Sequence, residues 1–122
     1  MKLLLTMLPT VVLVVYGQLI IKWRVEHLAG LLPESGDGWS RLWNYMTDPF
    51  VISAYLAALG GSVAWVLVVE RYDLSMAFPI YVGLTIALVA LGGSLLFGEA
   101  LSWQRVISIS LILAGVVIGS RA

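Results

Sequence analysis

Four long apolar stretches divide this chain, and one sizeable polar region separates the first stretch from the second. Residues 3–21 carry no charge. At a rise of about 1.5 Å per residue they are long enough for a helix to cross a hydrocarbon core of about 30 Å. The later stretches occupy residues 50–69, 76–97 and about 103–120. None of them alternates between apolar and polar positions, so the pattern predicts membrane-spanning helices and not the strands of a barrel.

The polar region between the first two stretches is predicted to contain a short helix of its own. The residues that follow the i, i+3, i+4, i+7 spacing of an amphipathic helix are Trp39, Leu42, Trp43 and Met46. We expect this helix to lie in the membrane interface, with its tryptophans at the level of the lipid headgroups. Asp48 and Pro49 then have the residue types of an N-cap and a first helical position, which starts the second span.

These elements predict an all-α membrane protein: four transmembrane helices in one compact bundle, with a short interfacial helix between spans one and two. The expected single domain covers residues 1–122, with spans at about 3–23, 49–69, 75–97 and 103–120 and an interfacial loop at about 24–48. Because only a tight turn joins spans two and three, we expect those two spans to form a helical hairpin.

The composition agrees with a membrane protein, since 61% of the residues are hydrophobic and only 11% are charged. Seven cations balance seven acids, so nothing favours nucleic acid as a partner. The chain has no cysteine, and His27 is its single histidine, so no metal site is predicted. Catalytic and nucleotide-binding motifs are also missing, and we therefore expect neither an enzyme nor a cofactor.

The polar residues near the end of the first span are the main candidates for substrate contact. Gln18 and Lys22 are four residues apart and share a helical face, with Arg24 close behind. Glu99 follows the third span and belongs to the same side of the membrane. Two cations and a carboxylate at one edge suit either a gate or a phosphate-bearing headgroup. The alternative is an interfacial ion pair without function.

The last span carries Gly115 and Gly119, a GxxxG spacing that is typical of closely packed membrane helices. Four short helices enclose little volume, so we predict a dimer, either with a second copy or with a similar small subunit. Three cations on the side of the termini face four on the other side, so the positive-inside rule gives no orientation.

The residues resemble the small multidrug resistance transporters of the drug/metabolite transporter superfamily. The resemblance rests on the four spans, on Gly17 and Lys22, on Gly38 to Trp43 and on Leu111 to Val116. It implies a multi-pass protein of the bacterial cytoplasmic (inner) membrane. The drug-exporting members carry a glutamate at the position of Val14, and no acidic residue lies mid-span here. Tyr81 matches the position of their substrate-stacking tryptophan, and Phe78 lies one turn earlier.

A closer resemblance is to flippase-like relatives that move aminoarabinose linked to undecaprenyl phosphate. It rests on Gly17-Gln18-Leu19 with Lys22, Trp65, Met76 to Pro79, and Glu99 to Ser102. It implies translocation of a polyprenyl-phosphate-linked sugar or a similar anionic amphipathic lipid, in contact with surrounding membrane lipids. The residues expected to contact this substrate are Gln18, Lys22, Arg24, Trp65, Phe78 and Tyr81. Glu99 is expected to pair with a cation at a gate.

Two alternatives remain open at this point. One is a proton-coupled exporter of hydrophobic cations or guanidinium-like compounds, which needs an acid that the spans lack. The other is an accessory membrane subunit of a lipid-linked sugar pathway.

Overall fold

The computed structural model describes residues 2–31 and 37–121, and the regular structure in those ranges is helical. Its five helices are α1 (Lys2–Ala29), α2 (Gly38–Met46), α3 (Pro49–Arg71), α4 (Leu74–Phe97) and α5 (Trp103–Arg121). All but α2 are long and apolar enough to cross a membrane. The predicted fold class, four spans with a short helix between the first two, is confirmed. Residues 32–36 of the predicted interfacial loop lie outside the described residues.

The helix ends follow from local sequence. Asp48 caps α3 by accepting hydrogen bonds from the backbone N–H groups of Phe50 and Val51, at 3.1 and 3.2 Å. Gly98 ends α4 with a φ of 65°, a left-handed conformation that glycine adopts without strain. The apolar run of the first span ends near residue 23, yet α1 continues to Ala29 because neither glycine nor proline lies between residue 23 and Gly30.

α1 is the central helix of the bundle. It packs along α3 and also against α4, whereas α5 packs against α4 alone. α3 and α4 are joined by a tight turn, as expected for spans two and three, but their backbones approach each other closely at few positions. Side chains make the contact between them, including Trp65 of α3 with Phe78 and Tyr81 of α4, while α1 packs against both helices.

The contact between α1 and α3 is close because it uses small residues. A Cβ atom on Gly17 would lie 3.2 Å from the backbone oxygen of Ala54, closer than side chains normally approach. Seven residues before Gly17 in α1, the Thr10 hydroxyl donates a 3.0 Å hydrogen bond to the carbonyl of Gly61 in α3. Since lipid offers no hydrophobic drive for helix association, close backbone approach and such hydrogen bonds are what join helices in a membrane.

A cluster of buried apolar side chains lies at the end of the bundle where the chain termini lie. It consists of Leu3, Met7 and Val11 from α1, Val68 from α3, and Ala77 and Ile80 from α4. Val51 and Ala54, near the start of α3, are also buried. Further from the termini, a cleft lined by residues of α1, α3 and α4 lies between the helices.

Candidate functional site

A small cavity lies at the heart of this cleft, where α1, α3 and α4 face one another. Its volume is about 170 Å³, and we call it the central cavity. The residues that line it are Thr10, Val14, Ser62, Trp65, Phe78 and Tyr81. Three of the six predicted substrate residues, Trp65, Phe78 and Tyr81, are thus brought together at one place.

The three aromatic rings form a connected cluster. The centroid of Trp65 lies 5.0 Å from that of Tyr81 and 6.3 Å from that of Phe78, and the last two are 6.0 Å apart. The rings are tilted by 41° to 75°, the offset and edge arrangements that aromatic pairs prefer. Trp65 and Tyr81 are half-buried, so each keeps part of its ring available to a ligand.

A second, wider space continues from the central cavity and shares Trp65 and Phe78 with it. Its volume is about 640 Å³, and its other lining residues are Leu74, Ser75 and Pro79. We call it the lateral groove, because it opens between α3 and α4 on the outside of the bundle. The central cavity alone is smaller than typical ligand clefts of about 300–1,000 Å³, and the groove brings the combined site into that range.

The chemistry of the central cavity is aromatic and hydroxylic. Thr10 and Ser62 line the cavity, and their hydroxyls donate to the carbonyls of Gly61 and Ala58 at 3.0 and 3.1 Å, so each oxygen can still accept a hydrogen bond. None of the six lining residues is a carboxylate. Val14, at the position where the drug exporters that the sequence resembles carry a glutamate, is part of the apolar wall. Sequence reasoning missed Thr10 and Ser62. Each was visible as a hydroxyl residue in an otherwise apolar span, but only the packing of α1 on α3 brings both to the cavity.

Gln18 and Lys22 lie further along α1 and do not reach the central cavity. Lys22 is eight residues beyond Val14, about 12 Å along the helix axis. Its ammonium group pairs with Glu26 at 3.4 Å, and both side chains are about half exposed. Gln18 is exposed, and no described residue hydrogen-bonds to its amide. An amide in that condition at membrane depth is open to a ligand or a second subunit.

Arg24 is held by an ion pair between α1 and the start of α3. Its Nε and Nη2 atoms donate to the two carboxylate oxygens of Asp48 at 3.0 and 2.7 Å. The side chains are only 15% and 6% exposed, and the guanidinium also lies 4.7 Å from the Phe50 ring centre. The hydrogen bonds from Arg24, with support from the N–H groups of Val51 and Phe50, hold the pKa of Asp48 below its usual value. Arg24 therefore meets a ligand only if Asp48 releases it.

Glu99 lies at the same end of the bundle as Lys22 and Arg24. Its carboxylate folds over Gly93 of α4, where an added Cβ atom would lie 2.7 Å from its Oε1. Lys22 pairs with Glu26 and Arg24 pairs with Asp48, so Glu99 pairs with neither of these two predicted cations.

Two further features bear on partners and ligands. Gly115 and Gly119 of α5 have nothing within 4 Å of an added Cβ atom, and both line an open space of about 370 Å³ beside the first turns of α4. Among the described residues, no three His, Cys, Asp or Glu side chains come together as a metal site would require.

The fold and the cavity define a small four-span membrane protein with an aromatic site between its helices. The model of the Small Multidrug Resistance protein family matches residues 19–112. The chain belongs to that family, and it is a multi-pass protein of the bacterial inner membrane.

Curated relatives cover most of the chain. The chain is 29% identical to the probable 4-amino-4-deoxy-L-arabinose-phosphoundecaprenol flippase subunit ArnE of Pseudomonas aeruginosa, over 95% of each protein. Its match with the protein of that name from Aeromonas hydrophila is 31% identical and spans 62% of this chain and 66% of that relative. The spermidine export protein MdtI of Yersinia enterocolitica is 31% identical over 81% of this chain and 85% of its own length. No solved structure matches the chain.

Proposed function

We propose that this protein translocates a polyprenyl-phosphate-linked sugar, or a similar anionic amphipathic lipid, across the bacterial inner membrane. The observation that carries the proposal is the central cavity, an aromatic and hydroxylic site without a carboxylate that opens sideways to the lipid. Aromatic faces and hydroxyl groups suit a sugar, and the missing acid avoids repulsion of a phosphate. The flippase subunits among the relatives support the same substrate class.

The central cavity and the lateral groove would accommodate different parts of the substrate, the headgroup and the tail. The headgroup would enter the central cavity beside the contacting rings of Trp65 and Tyr81, while the lateral groove, lined mainly by apolar residues, would leave the hydrocarbon tail in the bilayer. Keeping the tail in lipid confines the desolvation cost to the headgroup. Gln18 and Lys22 would contact the phosphate on its way along α1, and Arg24 would join them only by leaving Asp48.

We propose that the protein works as a dimer with a second copy or a similar small subunit. The relatives' designation as flippase subunits supports a partner. The open glycine face of α5 is the surface that we assign to it, because small residues allow close helix approach. An accessory role in a lipid-linked sugar pathway stays compatible with such a pairing, and transport by the purified chain alone would exclude it.

The experiment is a translocation assay on the full chain reconstituted in liposomes. The probe is a polyprenyl-phosphate-linked sugar with a fluorescent label on its headgroup. A membrane-impermeant reductant bleaches the molecules whose headgroups lie in the outer leaflet. We expect Trp65→Ala to slow translocation at least about fivefold, since roughly 1 kcal/mol of stacking is lost. Trp103→Ala, which removes an exposed tryptophan outside both spaces, serves as the matched control and should leave the rate unchanged. Equal rates for liposomes with and without protein would refute the proposal.

Export of organic cations is the second candidate, and the aromatic cluster favours it because such rings also attract cations. The similarity to a spermidine export protein supports it. This function predicts uptake of radiolabelled spermidine into the same liposomes, driven by an imposed proton gradient. Uptake that stops when the gradient is dissipated, without translocation of the anionic lipid, would replace the flippase proposal with this one.

A further inference from the structure

The largest of the spaces described along the bundle, about 800 Å³, lies at the end that carries the chain termini. The first turn of α1, the turn between α3 and α4, and the last turn of α5 enclose it. Its exposed or half-buried rim consists of Lys2, Tyr72, Ser120 and Arg121, and its buried floor includes Leu3 and Ile80. We call it the terminal cavity. It shares no lining residue with the central cavity or the lateral groove.

The cations that line the terminal cavity differ from Lys22 and Arg24 at the loop end in having no acidic partner. At the loop end, Lys22 and Arg24 pair with Glu26 and Asp48, while Arg105 donates a hydrogen bond to the carbonyl of Ala100. At the other end, no acidic residue in the described ranges lies within ion-pair distance of Lys2 or Arg121, and both side chains are exposed. Two unpaired cations therefore face one space.

The lining gives that space a consistent sign of charge. Neither Glu70 nor Asp73, the acidic residues beside the α3–α4 turn, is among the lining residues, although Asp73 lines a neighbouring space that shares Met76 and Ile80 with the terminal cavity. Arg121 offers a planar fork of donors that suits phosphate oxygens, and Lys2 adds a compact point charge. The hydroxyls of Tyr72 and Ser120 provide neutral partners, and the apolar floor continues towards the membrane interior. This combination fits an anion that is attached to a hydrocarbon tail.

We propose that the terminal cavity is a binding site for the phosphate headgroup of a lipid. Basic pockets between membrane helices bind anionic lipid headgroups through the same combination of cations and neighbouring apolar surface. The proposal goes beyond the transport function, because it requires neither Trp65 nor Tyr81 and no passage of the headgroup through the central cavity.

A methionine in the wall offers a direct probe of this site. Met76 lines the terminal cavity, whereas Met46 lies on α2 at the opposite end and serves as an internal control. The full chain, labelled with ¹³C in its methionine methyl groups, is titrated in neutral detergent micelles with dioctanoyl phosphatidic acid. We expect the Met76 methyl resonance to shift and saturate while the Met46 resonance stays in place.

Substitutions then test the cations. Lys2→Gln combined with Arg121→Gln should weaken the apparent affinity about tenfold, the effect of losing two charged contacts. Arg71→Gln removes an exposed cation at the same end that does not line the cavity, and it should change the affinity less than twofold. Arg121→Lys keeps the charge and should retain most of the binding. Circular dichroism confirms that each variant keeps its helices.

Three results would overturn the assignment. One is an equal Met76 shift with dioctanoyl phosphatidylcholine, which carries no net charge. Another is an equal loss of affinity in Arg71→Gln, which would indicate that the cations at this end of the bundle attract the lipid together, without a defined binding site. The third is saturation by inorganic phosphate without any lipid, which identifies a site for the free anion. A Trp65→Ala protein that no longer translocates lipid but keeps the Met76 shift separates this site from the proposed function.

Discussion

At the scale of single residues, Asp48 holds the loop end of the bundle together. One carboxylate accepts two hydrogen bonds from Arg24 of α1 and two from the first backbone N–H groups of α3. The charge pair is almost fully covered, and removal of one partner would leave the other buried and unpaired. Asp48 is therefore the residue whose loss should separate α1 from α3 at this end.

We expect Asp48→Ala to lower the free energy of unfolding by about 1 kcal/mol for the cap, with a further loss for the stranded arginine. Asp48→Asn keeps the cap acceptor and should lose only the second contribution. Asp37→Ala removes the equivalent cap of the short α2, and its effect should be smaller than either. Unfolding by sodium dodecyl sulfate, added to maltoside micelles, measures all three. An Asp48→Ala protein as stable as Asp37→Ala would contradict the assignment.

The lowered pKa of Asp48 adds a pH dependence to the same measurement. Its folded form binds a proton less readily than the unfolded chain does, so the stabilisation is complete above the ordinary aspartate pKa of about 4 and is lost as the pH falls through the folded value. The wild-type protein should lose stability in that acidic range, and Asp48→Asn should lose less. Parallel pH profiles for the two proteins would show that the ion pair contributes nothing.

The sequence predicted that Asp48 caps α3, but it did not predict the ion pair of Asp48 with Arg24. The Asp48-Pro49 pair is a local signal, and the N-cap follows from it directly. The partner of the carboxylate is not local, because Arg24 is 24 residues away and meets Asp48 only through the packing of α1 on α3. The same limit applies to the central cavity: its aromatic residues were expected, whereas the hydroxyls of Thr10 and Ser62 depend on how two helices cross.

At the scale of elements, α1 is central because it carries glycine where α3 crosses it. The backbone oxygen of Ala54 lies where a side chain on Gly17 would begin, and a carbonyl inside a packed helix has little freedom to move. Four spans and one short helix follow from the apolar pattern, but that pattern does not say which spans touch. The tight turn between α3 and α4 was expected from chain order, whereas the closer backbone packing of α1 against both helices was not.

Two glycine-to-alanine substitutions at the contact between α1 and α3 separate the effect of close helix packing on stability from the effect of helix propensity. Gly17→Ala should destabilise the fold, because the new Cβ atom meets the Ala54 backbone at 3.2 Å. At Gly60 the nearest atom is the end of the flexible Leu13 side chain, at 3.5 Å. Gly60→Ala should therefore be neutral or stabilising by up to about 1 kcal/mol. Unfolding in mixed micelles measures the stability of both variants. A Gly17→Ala protein at least as stable as Gly60→Ala would show that the close contact between Gly17 and Ala54 does not stabilise the fold.

At the scale of the whole molecule, the bundle is unfinished on one side. α5 has no buried residue and packs against α4 alone, and its two glycines face open space. The cleft between α3 and α4 is likewise open to lipid. Both features suit a protein that takes a lipid-bound substrate from the side and completes its enclosure with a second subunit. The central claim is that this substrate is an anionic amphiphile held by the aromatic cluster.

The measurement that tests this claim most directly is native mass spectrometry of the full chain, gently purified from a bacterial membrane. We predict a dimer that retains a polyprenyl-phosphate-type lipid, which is lost from Trp65→Ala and kept by Trp103→Ala. A wild-type protein that carries no such lipid, and instead retains an added quaternary ammonium compound, would contradict the account and identify an exporter of cations.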